Sequence, residues 1–380
     1  MTMRHAGLPL RVYWELTRAC DLACRHCRAE AQPARGADEL TTAECVDVLR
    51  DLAAGGAPLP HVIFTGGDPL KRPDLFDLVR EGVRLGLGVS VAPSATMSLT
   101  RETVRGLKDA GVEAMSLSLD GSIAARHDAI RGVLGCFGWT LAAAQRVVAA
   151  GVPLQINTLV TRETAGDLEA IAQLVARVGA ARWSLFFLIA VGRGRVLTPL
   201  TAAETETTLA WVARQSGAWP FVTTTTEAPH YRRIVVQQLR AAGWSSEEIR
   251  RAPVARGFGV RDGSGIMFIA ANGDVTPSGF LPMAVGNVRR ASAVTLYRDD
   301  VVFQALRRPQ GFRGRCGACE FHALCGGSRA RAWAATGDAL GSDPLCAWQP
   351  SKHTSTGSAR PRASAPLGPP RPAAHDTPPA

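Results

Sequence analysis

Three cysteines in one short loop, Cys20, Cys24 and Cys27, form a CxxxCxxC spacing directly after the apolar run Val12-Tyr13-Trp14-Glu15-Leu16. Thiolates this close converge on one metal centre, and soft sulfur ligands select zinc or an iron–sulfur cluster. A closed zinc site wants four ligands. No fourth cysteine follows nearby, and His26, wedged between Arg25 and Cys27, is poorly placed to be one. Three thiolates on a four-iron cubane leave one iron open, and an open iron is a catalytic position. A second set lies far downstream, with Cys316 and Cys319 as CxxC, then Cys325, then Cys346. Four thiolates suffice for a closed four-iron cluster or a closed zinc site. The bland alternatives are zinc clips, or cysteines that only fill core.

Other residues with chemical potential sit where strands should end. Thr65-Gly66-Gly67-Asp68-Pro69-Leu70 closes one apolar run, and glycines there let backbone come close to a ligand. The same residues would also serve a plain strand-to-helix turn. Ser116-Leu117-Ser118-Leu119-Asp120-Gly121 precedes His127-Asp128-Ala129-Ile130-Arg131-Gly132, offering Ser118 as a donor and Arg131 as a bidentate grip for a carboxylate. Asn157 and Thr158 end a further run. Arg193 and Arg195, flanked by glycines, read as an anion site or as a flexible loop. Glu227-Ala228-Pro229-His230-Tyr231-Arg232-Arg233 adds two arginines and an imidazole suited to proton transfer or carboxylate binding, although a lone histidine is more often structural. Cys45 and Cys136 have no partners at ligand spacing and read as core or surface.

These residues need a scaffold that gathers strand ends. Short apolar or β-branched runs at 12–16, 61–65, 88–92, 114–119, 153–159 and 182–188 predict strands. Helical periods at 42–54, 73–85, 101–110, 138–150 and 165–178 alternate with them. Thr41 or Thr42 with Glu44 resembles a capping start and Gly55-Gly56 a stop. The alternation predicts an α/β fold with a parallel sheet. Further on, 202–215 reads as a helix, 221–226 as a last strand and 233–254 as a helical connection, followed by a hairpin over 266–276 turning at Asn272-Gly273. The expected domains are an α/β domain over 1–232, a helical linker over 233–256 and a smaller α+β module over 257–350. A Pro-, Ser- and Ala-rich tail over 351–380 cannot bury enough surface to fold.

The formal charge is +10, part of it in the tail. No basic helix or nucleic-acid-binding motif accompanies it, so nucleic acid is not an expected partner. A basic body steers anionic small molecules, though a preference for arginine explains the charge equally well. No run of eighteen apolar residues appears and the N-terminus lacks a signal-peptide core, so no membrane partner is expected. Nine cysteines, most in two spaced groups, fit metal ligation in a reducing compartment, which predicts a cytoplasmic protein.

On these residues the chain resembles the radical S-adenosylmethionine (radical SAM) superfamily. The cysteine loop is similar to its signature, GGDP stands where members carry GGEP, and SLDG…HDxxRG follows. The resemblance implies a partial six-fold βα barrel of TIM-like form. It also implies a [4Fe-4S] cluster on Cys20, Cys24 and Cys27 whose open iron is chelated by the methionyl end of S-adenosylmethionine. Reductive cleavage there would yield a deoxyadenosyl radical that abstracts hydrogen from a substrate. By the same resemblance Gly66, Gly67, Asp68 and Pro69 hold the methionyl amino group, Ser118 and Arg131 the carboxylate, Asn157 the ribose and His26 the adenine.

The later cysteines resemble the SPASM module or its shorter twitch form. A full module carries more cysteines than the four here, and Ser278 stands where its first one is common. One auxiliary [4Fe-4S] cluster is therefore expected on Cys316, Cys319, Cys325 and Cys346, with an electron-transfer role. The wording RCGACEFHALCGGSRARAWAATGD, EAPHYRR and PSGFLP is similar to radical SAM enzymes of alternative haem biosynthesis. That likeness implies oxidative decarboxylation of propionates on a sirohaem-derived tetrapyrrole, with Arg193, Arg195, Arg232 and Arg233 meeting carboxylates and Arg193 and His230 as catalytic candidates. It also implies an electron donor such as ferredoxin or flavodoxin. Relatives with the same modules modify ribosomally made peptides, and the short stretch before Val12 favours the small-molecule substrate. A non-enzymatic scaffold stapled by zinc predicts zinc and no iron.

Overall fold

The computed structural model describes residues 5–350, so the proposed disordered tail lies outside the described residues. Seven parallel strands run in sequence order: β1 (Arg11–Glu15), β2 (His61–Thr65), β3 (Gly88–Val91), β4 (Ala114–Ser118), β5 (Leu154–Val160), β6 (Arg182–Phe187) and β7 (Val222–Thr226). Helices α1 (Thr42–Ala54), α2 (Leu75–Arg84), α3 (Arg101–Asp109), α4 (Ala124–Arg131), α5 (Cys136–Ala149), α6 (Leu168–Arg177) and α7 (Ala202–Gln215) join them. Alternate strand residues point to opposite faces. Val12, Trp14, Val62, Phe64, Val89, Val91, Met115, Leu117, Leu154 and Ile156 bury one face in a single core with the helices. The other face carries Tyr13, Ile63, Ser90, Ser116, Ser118, Gln155 and Asn157, all half-buried. In a flat sheet β1 and β6 would lie about 24 Å apart. Arg11 and Tyr13 of β1 nevertheless act electrostatically on Arg182 of β6, so the sheet curls into a partial barrel whose polar face lines the lumen.

The expected elements are present with local differences. Thr41 caps α1 in a reciprocal capping box with Glu44, and the helix ends at Gly55. The 221–226 run joins β6 as a seventh parallel strand, one more than a six-fold barrel. Helix α4 was not expected, and it carries the His127–Arg131 stretch. Helix α5 starts earlier than its apolar period suggested because both Asp128 carboxylate oxygens accept from backbone, Oδ2 from Gly135 N–H and Oδ1 from Phe137 N–H, each at 2.7 Å. The 233–254 connection splits into α8 (Tyr231–Ala241) and α9 (Ser246–Arg251) around Gly243, whose φ of 85° no continuing helix accommodates.

The C-terminal segment contributes β8 (Arg261–Asp262), β9 (Gly265–Ile269), β10 (Asp274–Thr276) and β11 (Gly286–Asn287). The hairpin β9–β10 turns at Asn272-Gly273 as its sequence requires. Strand β9 pairs in parallel with β1, from Arg11 opposite Ile266 to Trp14 opposite Ile269. The smaller module therefore extends the barrel sheet instead of building its own. Helices α10 (Ala293–Asp299), α11 (Val301–Arg307), α12 (Gly314–Ala318) and α13 (Arg329–Thr336) complete it. No single helix among the described residues is long and apolar enough to cross a membrane.

Candidate active site

The cysteine loop leaves the end of β1 and is seated against backbone. Cys20 N–H donates to Gln32 O at 2.8 Å, Arg25 N–H to Ile130 O at 2.9 Å, and Arg193 N–H returns to Cys27 O at 3.1 Å. Gly67 N–H donates to Thr17 O and Asp68 N–H to Ala19 O, both at 2.7 Å. A Cβ on Gly67 would lie 2.4 Å from Ala19 O and 2.6 Å from Arg18 O. The GGDP glycines thus let β2 press on the entry to the cysteine loop, a close backbone contact within the chain itself. The sulfurs are also engaged: Leu22 N–H points at Cys20 Sγ (3.3 Å) and Ala31 N–H at Cys27 Sγ (3.4 Å). Ser94 Oγ, which donates to Gly67 O, lies 3.3 Å from Cys20 Sγ.

Arg131 reaches the same loop from α4. Its Nη2 pairs with Asp120 Oδ2 at 2.5 Å, and its Nη1 is 3.7 Å from Cys24 Sγ. The guanidinium expected to grip a ligand carboxylate is directed at Asp120 and a cysteine sulfur, with only Nε lacking a partner. Asp120 is locked in turn: its Oδ1 accepts from Leu159 N–H at 2.7 Å, and its own N–H donates to His127 Nδ1 at 3.1 Å. His127 Nε2 therefore keeps its proton toward Cys136 Sγ, 3.3 Å away. His127, Asp128 and Cys136 bring their ligand atoms within 4.8 Å of one another, but the two hydrogen bonds from Gly135 and Phe137 already occupy the carboxylate. Asp120 and His127 were missed as site-builders. The His127–Arg131 spacing of four, with both side chains on one helical face, was the available signal.

Several side chains around the loop hold buried polar atoms with no partner. They are His26 Nδ1, Asp68 Oδ2, and Nε and Nη2 of Arg193. Burial, then the Arg131 charge, lowers the His26 imidazole to about 4, and Arg193 also acts on it. Burial pushes the Asp68 carboxyl up to about 6 although its Oδ1 accepts from Leu70 and Ser94 N–H. Pro69 opens the turn that follows and is buried. Ser118 and Asn157 are opposite each other on β4 and β5 and face the lumen. Thr158 does not: its hydroxyl donates to Leu119 O at 2.8 Å and accepts from Trp183 Nε1 at 2.9 Å inside the core.

The arginines proposed for an anion separate. Arg195 is exposed. Arg233 is paired with Glu206 at 2.5 Å and packs over the Trp348 ring. Arg232 donates to Val260 O at 2.6 Å. Of these four arginines, Arg193 is the one that keeps buried donors without partners, Nε and Nη2, beside the cysteine loop. His230 is fully buried, with neither ring nitrogen hydrogen-bonded and Asp343 Oδ2 at 3.9 Å from Nδ1. Burial lowers its imidazole to about 4, so it is neutral near pH 7.

Cys316, Cys319, Cys325 and Cys346 line one cavity with Arg233, His322 and Trp348. Backbone N–H groups of Asp343, Phe321 and Gly327 point at the sulfurs of Cys316, Cys319 and Cys325, each at 3.4 Å. Burial pushes the Cys325 thiol up to about 12 and the Cys346 thiol to about 11. Thiolates in this cavity therefore need a bound cation. No three of these sulfurs lie within 4.8 Å of one another, whereas tetrahedral zinc at about 2.3 Å would draw them to about 3.8 Å.

Residues 14–175 match the Radical SAM superfamily. The AdoMet-dependent heme synthase of Methanosarcina barkeri is 37% identical over 344 residues, covering 90% of this chain and 98% of the relative. The chain belongs to the radical SAM superfamily. More distantly, a PqqA peptide cyclase of Rhodopseudomonas palustris is 28% identical over 349 residues, covering 90% of this chain and 88% of the relative. The structure of Streptococcus suis SuiB bound to S-adenosylmethionine shares the fold, with a TM-score of 0.70 at 17% identity over 90% of this chain and 78% of that one.

A radical SAM enzyme depends on S-adenosylmethionine and an iron–sulfur cluster, and the residues fit both. Three thiolates with N–H···S support and one position left open suit the cluster. The orphaned atoms of His26 and Asp68, and the free Nε of Arg131, suit a ligand that carries adenine, ammonium and carboxylate groups.

Proposed function

We propose that this radical SAM enzyme acts on propionate side chains of a sirohaem-derived tetrapyrrole by oxidative decarboxylation. The cluster and S-adenosylmethionine would supply a deoxyadenosyl radical, and the protein's part is to hold the reacting groups in register and keep water out. The observation that carries the reading is Arg193, a half-buried side chain whose Nε and Nη2 are buried without hydrogen-bond partners beside the cysteine loop. Buried donor atoms without a partner are costly unless a ligand completes them, and a carboxylate is the matching partner of a guanidinium. Likeness to heme synthases along nearly the whole chain points the same way.

In this reading Cys20, Cys24 and Cys27 ligate the first cluster. Gly66, Gly67, Asp68 and Pro69 approach the methionyl end, Asp68 offering its free Oδ2 to the ammonium. Ser118, Arg131 and Asn157 line the carboxylate and ribose side. His26, held neutral, lies against the adenine. Cys316, Cys319, Cys325 and Cys346 hold one auxiliary [4Fe-4S] cluster that receives the electron left after hydrogen abstraction and loss of carbon dioxide. A ferredoxin or flavodoxin would reduce the first cluster. The division 1–232, 233–256 and 257–350 is then one of roles, laid over a continuous sheet.

Iron, sulfide and zinc analysis of anaerobically reconstituted protein tests this, with deoxyadenosine formation and turnover of sirohaem-derived tetrapyrroles assayed on the same sample. Roughly eight irons, following from two four-iron clusters, with cleavage and a decarboxylated tetrapyrrole is the expected result. Cleavage with modification of a peptide alone would replace the substrate class, as the PqqA peptide cyclase relative allows. Stoichiometric zinc without iron would overturn the reading.

A further inference from the structure

The cysteine loop has an outer cover as well as a lumen. Cys20, Leu22 and Cys24 pack in one apolar cluster with Cys136 of α5, and Cys27, Val133 and Trp139 lie against it. The first turn of α5 therefore stands between the cysteine sulfurs and the outside of the barrel. That cover is apolar and open. Val133 and Trp139 are only half-buried, and Leu134, at 89% exposure, is the most exposed large apolar side chain among the described residues.

Farther along the same helix the surface turns basic. A groove of about 740 Å³ runs between α3 and α5, lined by Arg101, Arg105 and Lys108 of α3 and by Ala142 and Arg146 of α5, with Asp109 the acid in its lining. Arg101, Arg105 and Lys108 are exposed. Lys108 Nζ donates to Ala150 O at 2.7 Å and Arg146 Nη1 to Leu99 O at 3.0 Å, carbonyls that hold both side chains in place and leave their charge unneutralised. Helix α5 carries no acid, and Glu102 and Asp109 of α3 offset two of the four positive charges. Trp139, Ala142, Arg146 and Ala149 follow helical spacing and share one face of α5. The groove thus leads up to Trp139, with Ala142 only about 4.5 Å farther along the axis. Exposed aromatic and apolar groups beside arginines are what a docking surface needs: burial at the centre, and charge that steers and orients an oppositely charged partner. The fourteen residues of α5 span about 21 Å, the scale of an interface of about 800 Å² per partner.

We propose that Leu134, Trp139 and the α3–α5 groove form the face on which an acidic electron-carrier protein docks to reduce the first cluster. The proposal rests on the cluster reading above and adds the place where the electron enters. One electron leaves the reduced carrier, which is left one-electron oxidised, and crosses the Trp139 packing to the centre held by Cys20, Cys24 and Cys27. No atom is transferred.

The probe is flavodoxin hydroquinone, added to anaerobic, cluster-loaded protein with S-adenosylmethionine. Its Kd and the rate of deoxyadenosine formation are read together, and dithionite replaces it in a parallel assay. R101E/R105E, at two exposed positions, should weaken flavodoxin binding and slow flavodoxin-driven cleavage at least about tenfold, while dithionite-driven cleavage keeps the wild-type rate. L134S should weaken binding in the same sense without touching the dithionite rate. R250E/R251E makes the same charge change at exposed positions on α9 and should behave like wild type in both assays. A wild-type flavodoxin response in R101E/R105E would overturn the docking face. So would an equal loss in R250E/R251E, a matching loss with dithionite in R101E/R105E, or wild-type protein that dithionite drives and flavodoxin does not. Wild-type protein that forms no deoxyadenosine even with dithionite would overturn the cluster reading and the docking face with it.

Discussion

Replacing Gly67 by alanine tests why the turn after β2 is built of glycine. The added Cβ would sit 2.4 Å from Ala19 O, 2.6 Å from Arg18 O and 2.8 Å from the Ala19 carbonyl carbon. All three are backbone atoms, so no side chain can rotate aside. The strand must retreat from the cysteine-loop entry, which strains the hydrogen bonds from Gly67 N–H to Thr17 O and from Asp68 N–H to Ala19 O. Overpacking costs about 1–3 kcal/mol and each lost backbone bond about 1 kcal/mol, for roughly 3–5 kcal/mol in all. At about 2.1 cal/mol/K of unfolding entropy per residue, that corresponds to a midpoint roughly 4–6 °C lower in thermal unfolding of a chain this size. Ser94, which bridges Gly67 O and Cys20 Sγ, should shift with the strand, so the first cluster should load incompletely. Circular dichroism melts and iron analysis of anaerobic G67A protein measure both effects. A normal melt with full iron but lost S-adenosylmethionine binding would refute this account and restore a direct ligand role for the glycine.

Other substitutions separate the two metal sites and the buried charges. Cys24→Ala should abolish deoxyadenosine formation and leave about half the iron, read by iron analysis and by the cluster's absorbance. Cys319→Ala should lower the iron content and block substrate turnover while deoxyadenosine still forms, which chromatography of the reaction would show. Arg193→Gln removes two buried donor atoms that lack partners, so turnover in a steady-state assay should fall about a hundredfold, the scale of one lost charge-assisted contact, while the melting point stays near that of wild type. His230, lowered to about 4 by burial, binds protons more readily in the unfolded chain. Its contribution to stability is whole above about pH 6.5 and is lost as pH falls toward 4, about 2 kcal/mol between pH 7 and pH 5. Urea unfolding of His230→Leu should therefore show a shallower loss over that interval than wild type.

Much of the site was legible because its grammar is local. Cysteine spacing, the GGDP turn and the strand–helix alternation each depend on a few neighbouring residues, and the structure places them where the sequence did. What sequence could not supply was the partner of each polar group. Arg131 and Arg193 look alike as letters. One is bound to Asp120 and the Cys24 sulfur and the other is left without partners, a difference set by where α4 and the loop after β6 meet the cysteine loop. Thr158 follows Asn157, and strand alternation puts only one of them in the lumen. His230 stands in a polar, basic segment yet is fully buried, because α8 packs under the later cysteine segment. The parallel pairing of β9 with β1 joins residues some 250 positions apart, and no local pattern announces a contact of that range.

That pairing bears on how the two proposed clusters can work together. Strand β1 is bonded to β2 on one side and to β9 on the other, and it carries the first cysteine loop at its end. Arg331 on α13 reaches back to Phe187 O and Leu188 O at the end of β6, and also pairs with Asp343 at 3.2 Å. Asp343 accepts from Ser328 N–H, and its own N–H points at Cys316 Sγ. The later cysteines are therefore tied to the rim of the barrel by buried, directional bonds. They do not belong to a module free to swing on a linker. Electron transfer is steeply sensitive to separation, and a buried polar network holds a separation more firmly than apolar contact does, because each bond fails over tenths of an ångström. The continuous sheet and the Arg331–Asp343 pair thus fix the distance between the proposed clusters as part of the fold itself.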